Sequence, residues 1–183
     1  MAVREILLLG NPKLYEICEP VNRDELEFLG PVVANLRDTL VNFRQQWGVG
    51  RAIAAPQIGV MKRLIFMEID RPQVFINPII SNKSSEMIEL WDDCMCFPEL
   101  LVYVQRHARC DITFYDMQWQ QHTLHLAGDL SELLQHEYDH LDGILAVSRA
   151  IDGHSFALHS QRQFLPLGWR DVTPPYGASG NIG

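Results

Sequence analysis

The sequence has no long apolar run, few cysteines and no excess of basic residues. No stretch of about 20 apolar residues is present, so no transmembrane helix is predicted, and the N-terminus lacks a signal-peptide pattern. The 23 acidic residues outnumber the 15 basic ones and give a net charge of -8, whereas nucleic-acid binders usually need a basic surface for phosphates. We therefore expect a cytoplasmic protein with a small or peptidic substrate and no direct contact with membranes or nucleic acids.

Cysteine is scarce for a disulfide-stabilised protein. The 4 cysteines are irregularly spaced, at Cys18, Cys94, Cys96 and Cys110. They are too few for a disulfide framework in a chain of 183 residues, so each thiol is available as a metal ligand in a reducing compartment.

The length and the hydrophobic pattern predict one α+β domain. A chain of 183 residues fits a single domain, which we place at residues 1–165, followed by an irregular tail at 166–183 that is rich in proline and glycine. Apolar residues recur every three or four positions up to Trp47, which predicts an amphipathic helix with a regular start at Pro31. Residues 50–57 read as a small-residue loop.

Short strand-like runs follow, at residues 63–69, 73–80, 85–91, 101–106, 111–115 and 122–126. The intervals between them are too brief for crossover helices, so the strands should pair antiparallel. Residues 144–151 are read as a further strand or a turn, and 152–164 as a short helix. The predicted architecture is antiparallel β-sheets packed around a central metal-binding α-helix.

That central helix carries two histidines and a glutamate. His136 and His140 lie four residues apart, on one face of a helix that Asp129 can cap and Gly143 can end. Both imidazoles can then reach one metal ion, and Glu137 can exchange protons with a water on it. The alternative, two ordinary polar histidines, does not explain why the pair, the glutamate and the helix signals coincide.

A catalytic metal site usually has three protein ligands and an open position, so a third ligand is needed. Considered by residue type alone, the candidates are His154 and His159 downstream, and His122, His125, Cys94 and Cys96 upstream. Cys94 lies in a segment with Trp91 and Phe97, whose rings can exclude water.

Three segments together resemble peptide deformylases. Residues 50–57 match the motif Gly-x-Gly-x-Ala-Ala-x-Gln with Ala52 at the second glycine, and residues 92–96 correspond to Glu-Gly-Cys-Leu-Ser. The motif His-Glu-x-Asp-His is intact at residues 136–140, and the order and spacing agree over about residues 3 to 150.

The resemblance implies a metal site and a reaction. Cys94, His136 and His140 would hold one divalent metal ion, with Fe(II) expected in the cell and Zn(II), Ni(II) or Co(II) also suited to these donors. Glu137 would act as the general base in hydrolysing the formyl group from the N-terminal formylmethionine of nascent polypeptides. The partners would be a formylated peptide or a nascent chain, near the ribosome, and the oligomeric state stays open.

The resemblance also implies roles around the substrate. The Gln57 amide and the Met95 backbone N–H would stabilise the oxyanion, and Arg106 would contact the peptide. A surface amide and a solvated strand charge are the alternatives for Gln57 and Arg106. The remaining substrate contacts would come from the first motif, at Gly50, Arg51 and Ala52.

Besides Met95 in place of leucine, the second motif departs from the family at three positions. Asp92 replaces glutamate and is expected to keep an ion pair near a metal ligand. Asp93 replaces glycine, which changes the permitted backbone angles and adds negative charge. Cys96 replaces serine and, two residues from Cys94 in a strand, would point to the same face as a fourth ligand. We expect an open site, because Glu137 and Gln57 have no role in a closed one.

Three rival functions remain. Arg51, Ala52 and Asp93 around the presumed cleft favour an enzyme of the same fold that acts on another N-acylated substrate. A closed metal site would favour a non-catalytic, metal-stabilised binding module. A general His-Glu-x-x-His peptidase is disfavoured, because its third ligand normally lies downstream.

Overall fold

The structure is a computed structural model and describes residues 2–165, so the predicted tail at 166–183 lies outside the described residues. The helices and strands, in chain order, are α1 Leu26–Trp47, β1 Ala52–Ala54, β2 Leu64–Glu68, β3 Pro72–Ser81, β4 Met87–Asp93, β5 Leu100–His107, β6 Arg109–Tyr115, β7 Gln121–Ala127, α2 Asp129–Leu141 and β8 Phe156–Leu158. Short 3-10 helices connect several of them, at Pro12–Tyr15, Arg23–Glu25, Ala55–Ile58, Ala146–Arg149 and His159–Phe164.

The strands form two antiparallel sheets. The first has the order β1-β2-β3-β6-β7 and the second the order β4-β5-β8. Helix α2 contacts strands of both sheets, including β1 and β7 of the first and β5 of the second. The predicted α+β class, with antiparallel sheets around a central helix, is therefore confirmed. No helix within residues 2–165 combines the length and the hydropathy needed to cross a bilayer.

The five-stranded sheet lies between the two helices. Successive strand residues face opposite sides, so Ala54 and Ile65 pack with Leu134 of α2, while Ile53 and Phe66 pack with α1. A third apolar cluster lies on the smaller sheet and includes Cys94 and Cys96. The cluster also contains Leu145 and Ala146, so the turn after β4 packs against the segment that follows α2.

Helix α1 begins earlier than predicted. It starts at Leu26, after a capping box in which Asn22 and Glu25 satisfy each other's backbone N–H groups, and Pro31 lies inside it. The predicted start at Pro31 is wrong because Gly30 has no Cβ to clash with the proline ring, so the helix continues through the pair. Its end at Gly48, in the left-handed region with φ 72°, agrees with the prediction.

Helix α2 differs from the prediction only at its ends. Gly128, not Asp129, is the residue that precedes it, and Asp129 is its first helical residue. The helix ends at Leu141, and Gly143 follows with φ 69°. An added Cβ at Gly143 would lie 2.5 Å from the Tyr15 carbonyl oxygen, so the chain after α2 requires glycine there.

Three other segments also differ from the sequence prediction. Residues 50–57 are not only a loop, since β1 pairs with β2 and the 3-10 helix Ala55–Ile58 follows. The segment 144–151 contains the 3-10 helix Ala146–Arg149, and 152–164 contains β8 and a 3-10 helix in place of an α-helix. β8 forms because its backbone pairs with residues Leu100, Leu101 and Val102, a non-local contact that local sequence does not encode.

Candidate active site

Three side chains converge between α2 and the turn after β4. The ligand atoms of Cys94, His136 and His140 all lie within 4.8 Å of one another, and all three residues are buried. The His140 Nε2 atom lies 3.4 Å from the Cys94 Sγ and 3.2 Å from the His136 Nε2. Helix α2 presents both imidazoles on one face. Strand β4, paired with β5, ends at Asp93 and so positions Cys94, the next residue, beside them.

The other candidate ligands lie elsewhere. His122 and His125 are exposed on β7 and contact Asp116 and Asp111. His154 is exposed, and His159 lies near Arg162 in the last described segment. Within residues 2–165, the structure groups only Cys94 with the two helix histidines.

The arrangement fits a divalent transition metal ion. Two imidazole nitrogens and a sulfur lie close enough to one another to bind one ion, with the His140 Nε2 atom 3.2 Å from the His136 Nε2 and 3.4 Å from the Cys94 Sγ. This donor set suits Zn(II), Fe(II), Co(II) or Ni(II). Two buried atoms nearby, His140 Nδ1 and Glu137 Oε2, have no hydrogen-bond partner among the described residues. Burial lowers the pKa of His140 well below its usual value, which keeps this imidazole neutral, as a metal ligand must be.

Asp92 contacts the His136 ring on the side opposite the metal donors, at Nδ1. Its Oδ2 atom lies 2.9 Å from His136 Nδ1 and accepts a hydrogen bond from Arg106 Nη2 at 3.0 Å. Burial favours the neutral carboxyl, but the charges of His136 and Arg106 outweigh it and keep the pKa of Asp92 below its usual range. The shorter carboxylate therefore makes the ion pair expected beside a metal ligand, and its contact leaves Nε2 facing the other donors.

Arg106 lies in the interior. Its side chain is 4% exposed and is paired with both Asp92 and Asp139. Asp139 also accepts a hydrogen bond from Arg149 Nη2 at 2.7 Å. The reading of Arg106 as a solvated charge is wrong, and we no longer assign it a peptide contact, because two buried carboxylates hold its guanidinium behind His136. Sequence reasoning missed Asp139 and Arg149, although Asp139 stands within the His-Glu-x-Asp-His motif.

Glu137 and Gln57 are both buried beside the three donors. Burial raises the pKa of the Glu137 carboxyl to about 7. The Gln57 Oε1 accepts a hydrogen bond from the Ala54 N–H at 2.7 Å, and its Nε2 lies 3.9 Å from the Cys94 Sγ and 3.6 Å from the Cys96 Sγ. Gln57 is 0% exposed, so the alternative of a surface amide is wrong.

The Cys96 thiol adjoins that of Cys94 but is not part of the group of three ligand atoms that lie within 4.8 Å of one another. β4 ends at Asp93, and Cys94 begins a turn closed by the bond from the Phe97 N–H to the Cys94 carbonyl, so strand alternation does not apply to this pair. The Cys96 N–H approaches the Cys94 sulfur at 3.5 Å, while its own thiol is beside the Gln57 amide. Among the described residues, only Cys94, His136 and His140 have ligand atoms that all lie within 4.8 Å of one another. The structure therefore gives no support to a closed site with Cys96 as the fourth ligand.

The first motif lies along one side of the donors. Gly50, with φ 124°, accepts a hydrogen bond from Arg44, and Ala52 is buried in the β1–β2 pair opposite Met67. Arg51 pairs with Glu132 at 2.6 Å.

In the second motif, Asp93 continues the β4 ladder opposite Leu101, so its backbone needs no glycine. The Met95 N–H has no hydrogen-bond partner in the part of the chain that the structure describes.

A thiol and two imidazoles around one point, with a buried glutamate alongside, are the arrangement of a mononuclear metal-dependent hydrolase. The family model described as polypeptide deformylase matches residues 3–155. The chain therefore belongs to the polypeptide deformylase family, which confirms the resemblance inferred from the three motifs.

Individual proteins that are similar to this chain are also peptide deformylases. A peptide deformylase of Pelagibacter ubique is 32% identical over 153 residues, which cover 80% of this chain and 86% of that protein. The crystal structure of the Thermotoga maritima peptide deformylase superposes with a TM-score of 0.76 at 27% identity, covering 83% of this chain and all of the other. The crystal structure of a class I type b peptide deformylase of Acinetobacter baumannii, bound to Met-Ala-Ser, superposes with a TM-score of 0.74 at 28% identity. The match covers 81% of this chain and 98% of that one.

Proposed function

We propose that the chain is a metal-dependent hydrolase that removes the formyl group from the N-terminal formylmethionine of nascent polypeptides. The observation that carries the proposal is the convergence of Cys94, His136 and His140 beside the buried Glu137, within a deformylase fold. The reaction belongs to protein biosynthesis, and we place the protein in the cytoplasm and near the ribosome on that ground. Residues 1–165 would form its single catalytic domain.

The metal would be held by the Cys94 sulfur and the two imidazole Nε2 atoms. A divalent ion supplies Lewis acidity, which polarises the formyl carbonyl and makes water a stronger acid. We propose Fe(II) as the ion used in the cell, with Zn(II), Ni(II) and Co(II) as ions that the same soft donor set accepts. Asp92 and Arg106 keep His136 oriented toward the other two donors.

Glu137 is the proposed proton carrier. Its carboxylate would take a proton from the attacking water and pass it to the departing amine. Because burial raises its pKa to about 7, the carboxyl is populated in both protonation states near neutral pH. A group that must first accept and then release a proton works best with a pKa close to the working pH.

Gln57 and Met95 are the proposed oxyanion donors. Negative charge develops on the formyl oxygen as water attacks, so fixed N–H groups beside it lower the barrier. The Gln57 amide is held by the Ala54 N–H and lies beside the Cys94 sulfur, which is next to the proposed reacting carbonyl. The Met95 N–H belongs to the residue directly after Cys94 and is free to donate within the described structure.

The peptide substrate follows from the family and from one neighbour. The Acinetobacter baumannii enzyme is bound to Met-Ala-Ser, a peptide that begins with unformylated methionine. A formylated peptide of this kind is the proposed substrate of the present chain.

Formate release tests the proposal. Protein prepared anaerobically with Fe(II) should release formate from formyl-Met-Ala-Ser and no acetate from acetyl-Met-Ala-Ser. Glu137→Gln should retain the metal and lower turnover by about 100-fold or more, because an amide cannot accept the proton. Glu86→Gln, at an exposed carboxylate paired with Arg109, is the matched control and should keep wild-type turnover. Equal release from both peptides, or full activity of Glu137→Gln, would refute the proposed reaction or the role of Glu137.

A further inference from the structure

A second thiol lies beside the proposed metal ligand Cys94, and the proposed reaction does not use it. The side chains of Cys94 and Cys96 hydrogen-bond to each other, and the Cys96 N–H lies 3.5 Å from the Cys94 sulfur. The Gln57 Nε2 atom contacts both sulfurs, at 3.9 Å for Cys94 and 3.6 Å for Cys96. The two thiols therefore share one small region at the edge of the metal site.

The backbone of this pair suits a disulfide. Both thiols are free, and Cys94 and Cys96 lie two residues apart in a turn that the bond from the Phe97 N–H to the Cys94 carbonyl closes at 3.0 Å. Consecutive Cα atoms are about 3.8 Å apart, and the bend of the turn keeps this pair within the ~4.4–6.8 Å that the Cα atoms of a disulfide span. Because the side chains already meet, an S–S bond requires rotation of the thiols and no movement of the strands.

Hydrogen peroxide can reach the pair. Both side chains are buried, but the proposed reaction brings water and a formyl group to the donors, Cys94 among them. Peroxide is little larger than water and can follow the same path. Cys94 meets it first, because it is one of the donors and is 5% exposed, whereas Cys96 is 1% exposed.

We infer that Cys94 and Cys96 form a reversible oxidation site, at which peroxide produces a disulfide and so releases the metal ion. The inference goes beyond the proposed function and shares with it only the metal site. The Cys94 sulfur attacks one peroxide oxygen, the O–O bond breaks, and the departing hydroxide takes the thiol proton to become water, which leaves a sulfenic acid. The Cys96 sulfur then attacks the Cys94 sulfur, so that an S–S bond forms, the S–O bond breaks and a second water departs. Two thiols are oxidised by two electrons in total, and one peroxide is reduced to two waters.

The disulfide has two consequences for the site. A thiolate is the form of cysteine that binds a metal, so the S–S bond leaves only His136 and His140 as donors. Cys96 also stops the oxidation of Cys94 at a stage that a dithiol reverses, whereas a sulfenic acid without a neighbouring thiol proceeds to irreversible sulfinic acid. The serine of the family motif at this position cannot form the bond. In a reducing compartment such a disulfide is transient, as is typical of redox-sensing sites.

The test treats the zinc-loaded protein with hydrogen peroxide, because zinc does not itself exchange electrons with the oxidant. The wild type should become lighter by two hydrogen atoms, and peptide mass spectrometry should locate the bond between Cys94 and Cys96. The zinc should pass to a colorimetric chelator as the bond forms. Dithiothreitol followed by fresh zinc should restore both thiols and the bound metal.

Two variants remove the second thiol. Cys96→Ser should bind zinc, but after peroxide its Cys94 should carry two or three added oxygen atoms, and dithiothreitol should restore less than about 10% of the zinc binding. Cys96→Ala should behave in the same way and does not depend on a hydroxyl at this position. Cys110→Ala removes a buried thiol that lies beside the Ser131 hydroxyl and is the matched control, with the response of the wild type.

These readouts need no turnover, so they are separate from the test of the proposed function. Sulfinic acid on Cys94 of the wild type, zinc retained by the disulfide form, or equal recovery of Cys96→Ser would overturn the inference. A wild type that binds no zinc before treatment would overturn both metal release and the proposed metal site. Formate release by the untreated protein decides the proposed function whichever result the peroxide experiment gives.

Discussion

At the scale of single residues, the altered second motif is accommodated by its surroundings. Asp92 reaches both His136 and Arg106 despite being one methylene shorter than the glutamate of the family motif. Cys96 lies beside the Gln57 amide and outside the group of three metal donors. Both substitutions therefore act on the orientation of neighbouring groups, and each can be tested without removing a proposed ligand.

Cys96→Ser should leave the metal content at one ion per chain and keep or modestly raise turnover. A hydroxyl is a better acceptor than a thiol for the Gln57 amide, so the proposed oxyanion donor stays in place. Metal analysis by emission spectroscopy, with Cys94→Ala as the variant expected to lose the ion, measures the outcome. Loss of metal from Cys96→Ser would instead identify Cys96 as a ligand.

Asp92→Asn should weaken metal affinity by about 10- to 100-fold, because the amide no longer fixes the His136 ring through a charged contact. Competition with a calibrated chelator gives the affinity. Asp111→Asn is the matched control, since Asp111 makes the same type of contact with an exposed histidine, His125, on the surface. Equal affinities in the two variants would show that the Asp92 contact does not support the metal site.

At the scale of the elements, the ends of α2 determine how the helix is held. The chain leaves the helix through Gly143, which contacts the 3-10 helix Pro12–Tyr15 near the N-terminus. The Cys18 N–H also bonds to the Leu141 carbonyl at 2.9 Å. The N-terminal segment therefore anchors the last turn of the helix that carries His140.

Gly143→Ala should lower the free energy of unfolding by about 1–3 kcal/mol. The new Cβ would meet the Tyr15 carbonyl oxygen at 2.5 Å, and φ 69° is strained for alanine. Urea unfolding measures the change. Gly153→Ala, where an added Cβ meets nothing within 4 Å, should change stability by less than about 0.5 kcal/mol. Similar values for the two variants would contradict the close contact at Gly143.

At the scale of the whole molecule, the proposed metal joins parts of the chain that are distant in sequence. Cys94 and His140 are separated by 46 positions and come from different elements. An ion that bridges them binds the folded state and not the unfolded chain, so its binding energy adds to stability.

Removal of the metal should therefore lower the melting temperature. At a free metal concentration about 1,000 times Kd the ion contributes about 4 kcal/mol, which corresponds to roughly 10 °C for a chain of this size. Differential scanning calorimetry before chelation, after chelation and after adding the ion back measures the shift. Cys94→Ala should show no such shift, and a wild type insensitive to chelation would argue against a metal site in the folded protein.

Local sequence was sufficient for features that depend on local geometry. The spacing of His136 and His140 places both on one face wherever a helix forms, and the apolar stripe around them made that helix predictable. The antiparallel sheets could be inferred from short strands with brief connections, and family membership from the order of three motifs. Each of these depends on residues close together in the chain or on their order along it.

Tertiary structure alone decided which distant groups meet. Nothing local to Arg106 distinguishes a solvated charge from one buried between Asp92 and Asp139, because that depends on the packing of β5 against α2. The position of Cys96 depends on where β4 ends, and β8 exists because a sheet edge is available to pair with it. Side-chain periodicity and caps arise within a few residues, whereas burial and pairing are set by contacts that the chain makes only when it is folded.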